Sequence, residues 1–495
     1  MQAGQAVSQP TPVPIALDRR SSAPLAVQLA DTLRAAAAEG YLRAGDRLPS
    51  TRELATQLGV SRTVTAAAYE QLHAEGWIVG RHGSGTYVTT TPPGASTGVS
   101  AGVAVDAVSH ARAAGSVTAA SQHRGRTRRP AQETIDLTLG ASWVGGLDRA
   151  AWRRAWRAAA DAPPLLRPHR AGLVEYRAVV AEHLLRHRGL TKAGGLTEND
   201  VLATGGTTAA VTELAYSVLR PGDWVAVEEP GYQRAVQAFR AAGLIVLPAP
   251  VGPRGLIVDD VPTGVRAVYC SPSHQYPLGG RMGAADRVAL VERARSEGWM
   301  VIEDDYDGEL RYDVAPLPLL VALAPDVVVH LGTTSKILTA TLGAGWMVAP
   351  PGVAEAVLAY RERTGTAPAA AGQRVLAEFA HNGDLGRHLR RLRRELSARR
   401  ELVVSAMNAA GLTVLGDDAG AHIVVPLPSL PAERRVVAGA REQGITVDGL
   451  ARHHDGRPAW HGIALGYAAC TRARLRTALP IVVDLLAATP DRVTT

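Results

Sequence analysis

Short apolar runs recur through the middle of this chain, at Val225 to Val227, Leu244 to Leu247, Ala267 to Tyr269, Met300 to Ile302, Val327 to Val329 and Gly345 to Val348. Ala- and Arg-rich helical stretches fill the spaces between them. That alternation constrains the fold more than any other feature. A helix between two strands carries the chain back to the same end of a sheet, so the strands pair in parallel and the helices cover both faces. Continuously apolar runs are what a sheet buried on both sides requires. The expected fold class is therefore α/β with a mostly parallel sheet. From about residue 351 the pattern changes: a long basic helix, Leu385 to Ala410, precedes short segments near His422 to Leu427 and Gly462 to Ala468. This reads as a second, smaller lobe.

At 495 residues the chain exceeds what one hydrophobic core organises, and a break is visible. Residues 93 to 131 are rich in Gly, Ala, Ser and Thr, lack apolar periodicity and end in the basic cluster His123 to Arg129, which reads as a flexible linker. The boundaries expected are a small module over 22–90, the linker over 91–132 and a large region over 133–490. Two cysteines, Cys270 and Cys470, form no disulfide framework. With no secretory leader pattern and no apolar run of membrane-spanning length, a soluble cytoplasmic protein is expected. The formal charge of +7 permits contact with a polyanion but does not locate it. Residues 1–90 hold eight arginines against seven acids, so a nucleic acid bound there must be met by placed arginines.

The small module is locally explicit. Leu25, Leu29, Leu33 and Ala36 have the spacing of an amphipathic helix. Ser50 and Glu53 form a capping-box pair for a helix from Thr51 to Leu58, Gly59-Val60 breaks it, and Ser61 opens a third helix to Glu75. Trp77 to Val79 and Gly85 to Val88, on either side of Arg81 to Ser84, predict a hairpin. Two short helices joined by a Gly-containing turn, followed by such a hairpin, make a winged helix-turn-helix. The run Gly45-Asp46-Arg47-Leu48-Pro49-Ser50-Thr51-Arg52-Glu53-Leu54-Ala55, followed by Leu58 to Thr63, resembles the GntR family of DNA-binding regulators. The resemblance implies double-stranded DNA as partner, with Arg52, Arg62 and His82 as contacts. Ala66 departs from members that carry a further arginine there.

In the large region one residue stands out by rarity. Two lysines, Lys192 and Lys336, stand against fifty-one arginines. An arginine keeps its proton near neutral pH and forms no imine, whereas a desolvated lysine amine can lose its proton and form one. Lys336 ends the hydroxyl-rich loop Thr333-Thr334-Ser335-Lys336 behind a strand. Thr204-Gly205-Gly206-Thr207-Thr208 opens a helix and offers amides and hydroxyls to an anion. Glu303-Asp304-Asp305-Tyr306-Asp307-Gly308-Glu309 follows an apolar strand, and Glu229-Pro230-Gly231-Tyr232 and Ser271 to Gly279 stand between.

Taken in order, these five segments are similar to a fold-type I aminotransferase, and with the small module to the MocR subfamily of GntR regulators. The likeness covers residues 22 to 490. It implies a winged helix-turn-helix plus a fold-type I PLP-dependent aminotransferase-like domain, with a mostly parallel sheet in the large lobe and a smaller C-terminal lobe. It implies pyridoxal 5'-phosphate as cofactor, no metal, and a homodimer. Lys336 would be the Schiff-base lysine, Asp304 the partner of the pyridine nitrogen, Tyr306 the partner of the ring hydroxyl and Tyr232 the stacking aromatic. Gly206, Thr207, Thr208 and Thr333 would hold the phosphate.

Three departures matter. Gly343 stands where family members place a phosphate-binding arginine, seven residues past the lysine. The stretch Arg167 to Gly172 lacks an aromatic residue that often completes the phosphate cup from the partner subunit, which leaves Arg167 or Arg170 to compensate. Ile463 to Tyr467 lacks the arginine that grips a substrate carboxylate, with Arg452 or Arg457 as substitutes. The expected function is a transcription regulator that senses pyridoxal phosphate, alone or with an amine ligand, with little or no turnover. Control of pyridoxine synthesis, as by PdxR-type members, is one role this leaves open. An active aminotransferase carrying a DNA-binding module, or a regulator whose cofactor pocket has decayed, are the alternatives.

Overall fold

Local signals at the N-terminus produce the expected helices. In a computed structural model of the protein, which describes residues 15, 17–19, 24–38, 42, 46–74, 77–81, 85–88, 134–190, 195–312 and 319–488, α1 spans Leu25–Ala38, α2 Thr51–Leu58 and α3 Arg62–Ala74. His82, Lys192 and the linker up to residue 132 lie outside the described residues. The Ser50 hydroxyl accepts from the Glu53 amide at 3.2 Å, and the Glu53 carboxylate accepts from the Ser50 amide at 2.8 Å. This satisfies two donors that a helix start leaves unpaired. Gly59 ends α2 in the left-handed region at φ 61°, turning the chain into α3. The Thr65 hydroxyl donates to the Thr51 carbonyl at 2.7 Å, fixing the two helices against each other. Strands β1 (Arg47–Leu48), β2 (Ile78–Arg81) and β3 (Gly85–Val88) form an antiparallel sheet in the order β1-β3-β2.

The large region begins with β4 (Ile135–Leu137), α4 (Arg149–Asp161) and α5 (Val174–Arg188). Then come β5 (Leu202–Thr204), α6 (Thr207–Ser217), β6 (Trp224–Glu229), α7 (Gln233–Ala241), β7 (Ile245–Gly252), β8 (Gly255–Leu256) and β9 (Ala267–Cys270). After these follow α8 (Ala284–Glu297), β10 (Met300–Asp305), α9 (Leu320–Leu323), β11 (Val328–Thr333) and β12 (Gly345–Val348). The eight strands run β5-β12-β11-β10-β9-β6-β7-β8, parallel from β11 through β7, with β12 antiparallel to both its neighbours and β8 antiparallel to β7. Val301, Ile302, Val328, Val329 and Leu331 are fully buried, each contributing roughly 1.5–3 kcal/mol over an exposed position. The sequence places Glu303 to Asp305 just after an apolar strand; in the structure they are its last three residues, and all three are buried.

A second sheet gathers β13 (His422–Pro426), β14 (Ile445–Gly449) and β15 (Gly462–Gly466) in the order β13-β15-β14-β4. Helices α10 (Pro351–Thr364), α11 (Ala370–His381), α12 (Asp384–Ala409), α13 (Leu430–Glu442) and α14 (Arg472–Ala487) complete this part. Its edge strand β4 comes from more than two hundred residues upstream and pairs in parallel with β14. That pairing carries the segment behind β4 across to the main sheet.

Two further contacts tie distant elements. Arg361, fully buried, bonds both oxygens of Glu213 at 2.8 and 2.7 Å and donates to the carbonyls of Arg170 and Ala203. Arg188, at the end of α5, donates to Asp305 Oδ1 at 2.8 Å and pairs with Glu309 at 4.0 Å. The winged helix rests beside that second contact. Its apolar core of Leu29, Leu33, Leu54, Leu72 and Trp77 is continuous with Ala284 and Val288 of α8. A methyl group on Gly189 would lie 3.3 Å from Gln71 Nε2 and 4.0 Å from Val27 Cγ1.

Candidate functional site

The carboxyl ends of β5, β9, β10 and β11 converge on one pocket. At one end, Gly206 adopts φ 108° as it opens α6, and no side chain caps the helix. Its first amides therefore face the pocket free for an anion. Thr333 Oγ1 lies 3.5 Å from the place of a methyl group on Gly206, and shares a hydrogen bond of 2.9 Å with Ser335 Oγ. The Thr208 hydroxyl bonds the Tyr232 hydroxyl at 2.9 Å. Thr207 turns the other way: its hydroxyl donates to Asp304 Oδ1 at 3.3 Å.

At the other end Asp304 is buried and accepts from the Tyr269 hydroxyl on its second oxygen. Burial pushes its carboxyl up to about 7, and Asp305 and Asp307 add to the rise while the two hydroxyl bonds oppose it. Among the described residues no cation pairs with it. A buried carboxylate supported by two neutral donors alone is poised to accept a bond from a cation.

Lys336 lies between the two ends. Its Nζ donates to the Gly140 carbonyl at 2.7 Å, which arrives on the segment behind β4. Burial lowers the affinity of the amine for its proton, Arg234 lowers it further, and Asp307 and Asp304 oppose the shift. The neutral, nucleophilic amine is therefore easier to reach than for a solvated lysine. The Tyr306 hydroxyl bonds His274 Nδ1 at 2.9 Å, and the same nitrogen lies 2.9 Å from Asp307 Oδ2. Gly420 presses on this pair: a methyl group there would fall 2.2 Å from His274 Cε1, so a larger residue would expel the ring. Tyr232 stands edge-on to Tyr276 with centroids 6.0 Å apart. Gln275 points away, its amide donating to the carbonyls of Pro230 at 2.9 Å and Tyr276 at 2.7 Å and to Glu228 Oε2 at 3.3 Å.

The structure separates the substitutes considered from sequence. Arg170 is committed, bonding Glu362 at 2.9 Å and the Thr366 carbonyl at 2.6 Å. Arg167 is exposed and pairs with no carboxylate among the described residues. Gly343 has φ 62°, with nothing within 4 Å of where its side chain would begin. Arg452 is held by Asp448, and Arg457 is exposed. Arg234 was not anticipated; it is exposed at the first turn of α7, lies near the Tyr232 hydroxyl and is close enough to Lys336 to weaken proton binding there. In the small module Arg52 and Arg62 stand exposed at the starts of α2 and α3.

Residues 25–88 match the family described as bacterial regulatory proteins of the gntR family, and residues 145–479 match aminotransferase class I and II. The chain is 32% identical to the HTH-type pyridoxine biosynthesis transcriptional regulator PdxR of Corynebacterium glutamicum, over 95% of this chain and 98% of that protein. It belongs to the MocR-type GntR regulators. Its identity to the probable rhizopine catabolism regulatory protein MocR of Rhizobium meliloti is also 32%, over 92% of each chain. Among solved structures, the kynurenine aminotransferase of Pyrococcus horikoshii superimposes with a TM-score of 0.64 at 23% identity, covering 73% of this chain and 93% of that one. That likeness places the large region of this MocR-type chain in the aminotransferase fold. No helix among the described residues is long and apolar enough to cross a membrane, and no cluster there could hold a metal ion.

The fold implies pyridoxal phosphate, and the donor set fits it. Asp304 offers a cation-free carboxylate for a pyridinium nitrogen, the uncapped α6 start with Thr333 and Ser335 offers donors to a phosphate, and Lys336 offers an amine.

Proposed function

We propose that this regulator binds pyridoxal phosphate at Lys336 and uses its occupancy to set how the winged helix meets DNA. The observation that carries the reading is Asp304, a buried carboxylate without a cation in the pocket that also holds a desolvated amine. When bound, pyridoxal phosphate supplies an aldehyde for covalent capture and a ring that withdraws electrons once its nitrogen is protonated. The chain's own residues do the rest. Asp304 would hold a proton at that nitrogen, Tyr232, bonded by Thr208, would lie against the ring, and Thr333, Ser335 and the first amides of α6 would receive the phosphate. The Gly140 carbonyl, which accepts from Lys336 Nζ, would hold the amine in place for an aldehyde.

The test is spectroscopic. Added pyridoxal phosphate should give a visible absorption band, and borohydride should then fix it to Lys336 in peptide mass spectra; attachment to Lys192, or none at saturation, would reject the site. Operator binding should depend on Arg52, Arg62 and the wing residue His82, in a homodimer that meets paired half-sites. Arg62→Ala should weaken a gel-shift complex by about 1–3 kcal/mol if it makes a bidentate base contact.

A second reading concerns the ligand. Arg234, beside Tyr232 and near Lys336, is suited to the anionic tail of an amine, so an amino acid could bind with the cofactor. Turnover requires more, because the substrate must be held with its reacting bond over the ring, and β15 (GIALG) contributes no arginine for this. Rapid half-transamination with an amino acid, followed by multiple turnovers with a keto acid, would move the protein to the enzymes. The similarity to the pyridoxine biosynthesis regulator of Corynebacterium glutamicum makes vitamin B6 genes the first operators to try.

A further inference from the structure

One nitrogen at the ring end faces two oxygens. His274 Nδ1 lies 2.9 Å from Asp307 Oδ2 and 2.9 Å from the Tyr306 hydroxyl oxygen. A ring nitrogen that carries a hydrogen donates, and one that lacks it accepts, so it cannot serve both partners in opposite senses. The ring has no room to turn away. A methyl group on Gly420 would fall 2.2 Å from His274 Cε1, and one on Gly279 would fall 3.2 Å from Nε2.

Two observations put the hydrogen on Nδ1. Asp307 is buried, a carboxylate can only accept, and among the described residues no group but His274 donates to its side chain. On the far side of the ring Nε2 is buried without a partner, so a hydrogen placed there instead would be an unmet donor. The other titratable groups facing His274 do not change this count: the His422 ring stands 5.2 Å away, and Asp417 is already paired with Arg281 at 3.1 Å and Arg311 at 2.9 Å. With Nδ1 donating to Asp307, the Tyr306 oxygen meets that nitrogen only as an acceptor. Its own hydrogen must point elsewhere. Burial, with Asp307, Tyr276 and Asp304 beside it, keeps that phenol protonated far above its ordinary range. The same two acids, Asp307 and Asp304, act on the Lys336 amine, so the hydroxyl stands at the pocket that holds it.

We infer that Asp307, acting through His274, fixes the direction of the Tyr306 O–H and turns its hydrogen into the pocket, toward the ring oxygen of bound pyridoxal phosphate. Asp307 and His274 are positioning residues, since both act by denying Tyr306 another acceptor. This rests on the reading that pyridoxal phosphate is captured at Lys336. It goes beyond that reading by assigning control of the ring-oxygen hydrogen bond to a pair behind Tyr306.

The experiment follows the visible band of the loaded full chain against pH, which reports the loss of the proton shared by the lysine nitrogen and the ring oxygen. A hydrogen donated to that oxygen weakens its hold on the shared proton, which then leaves at lower pH. Asp307→Ala frees His274 Nδ1 to accept from Tyr306. The midpoint should rise by about one to two pH units, the loss of one hydrogen bond to a charged group. Loss of the Asp307 charge by itself works in the opposite direction, because that charge favours the protonated amine. A fall or no change therefore overturns the inference. In a Tyr306→Phe chain, Asp307→Ala should lower the midpoint, since the charge alone is left to act, and a rise there also overturns it. Asp307→Ala combined with His274→Leu removes both acceptors and should bring the midpoint back to the wild-type value or below; a midpoint that stays high would mark a structural disturbance and count against the pair. Histidine nitrogen NMR of the unloaded wild-type chain needs no variant to fold: the His274 hydrogen should sit on Nδ1, and a hydrogen on Nε2 alone overturns the inference. Failure of wild-type protein to give a visible band would instead reject capture at Lys336, while the NMR still decides where the hydrogen lies.

Discussion

The two ends of the candidate site are built on opposite principles. The ring end is a buried, interlocked set: Asp304 with Tyr269 and Thr207, then Tyr306, His274 and Asp307, with Gly420 closing against His274. The phosphate end is open and neutral, made of an uncapped helix start, glycines and hydroxyls, with a vacant left-handed glycine at 343. Electronic control requires fixed charge in a low-dielectric setting, and each part of the ring end supports its neighbour. Grip on a phosphate can be divided among many weak donors and tuned without disturbing the ring. On the proposed reading, such a pocket would keep the chemistry of capture and loosen retention, as a sensor whose occupancy follows concentration requires.

The comparison is broken most severely at the residue both ends share. Lys336→Ala should abolish the borohydride-stable attachment entirely while leaving the fold, since among the described residues the amine bonds only the Gly140 carbonyl. Residual attachment at wild-type level would mean that the pocket is not organised around this amine. Next in size is the contrast between the ends. Asp304→Asn should weaken binding about ten- to a hundredfold, the effect of losing a buried charge-assisted bond, whereas Thr333→Ala or Ser335→Ala should cost about 0.5–1.5 kcal/mol. Equal losses at both ends in absorbance titrations would erase the distinction.

A pH series sharpens it further. Burial raises the Asp304 carboxyl to about 7 and that of Glu228 to about 8. Unfolding returns both to ordinary carboxylate values of about 4, so the folded form holds more protons between those limits and stability falls as pH rises through the window. The stabilisation is complete below about pH 4 and lost above about pH 8. A pyridinium beside Asp304 removes that residue's share only. The rise in melting temperature on adding pyridoxal phosphate should therefore be larger near pH 8 than near pH 5, roughly the two sides of the window, and Asp304→Asn should flatten the difference. The smallest effect is expected at Gly343→Arg. The left-handed backbone penalises a side chain by about 1–2 kcal/mol, which offsets most of the 1.5–3 kcal/mol, very roughly, that a new arginine could add. A large gain in affinity would show that the backbone there relaxes and that the phosphate end was limited by charge alone.

What could be read from the sequence depended on how far apart the cooperating residues lie. The capping box of Ser50 and Glu53, the break at Gly59 and the strands of the large sheet are set by neighbours a few residues away, and all appear. Lys336 stood out by its rarity and Asp304 through the family resemblance, and the structure puts them at or just past the carboxyl ends of neighbouring parallel strands. Gly140, His274 with Gly420, and Arg361 were not. Their roles come from pairings 196, 33 and 158 residues apart for the Lys336–Gly140, His274–Asp307 and Arg361–Ala203 bonds, and no local pattern encodes those. The same holds for β4, a three-residue strand whose place is fixed by β14. Arg234 had a signal, since it stands two residues past Tyr232 and faces the same pocket.

Arg188 and Gly189 are consecutive. The first grips Asp305, next to the acid at the ring end, and the second lies beneath Gln71 and Val27 of the winged helix. A single peptide unit thus separates the wall of the pocket from the seat of the DNA-binding module. Linkage makes such an arrangement symmetrical: whatever factor the cofactor applies to operator affinity, the operator must apply to cofactor affinity. If pyridoxal phosphate sets operator affinity as proposed, the promoter is an effector in its own right, and a molecule parked on DNA and one free in solution would read the same concentration of pyridoxal phosphate differently.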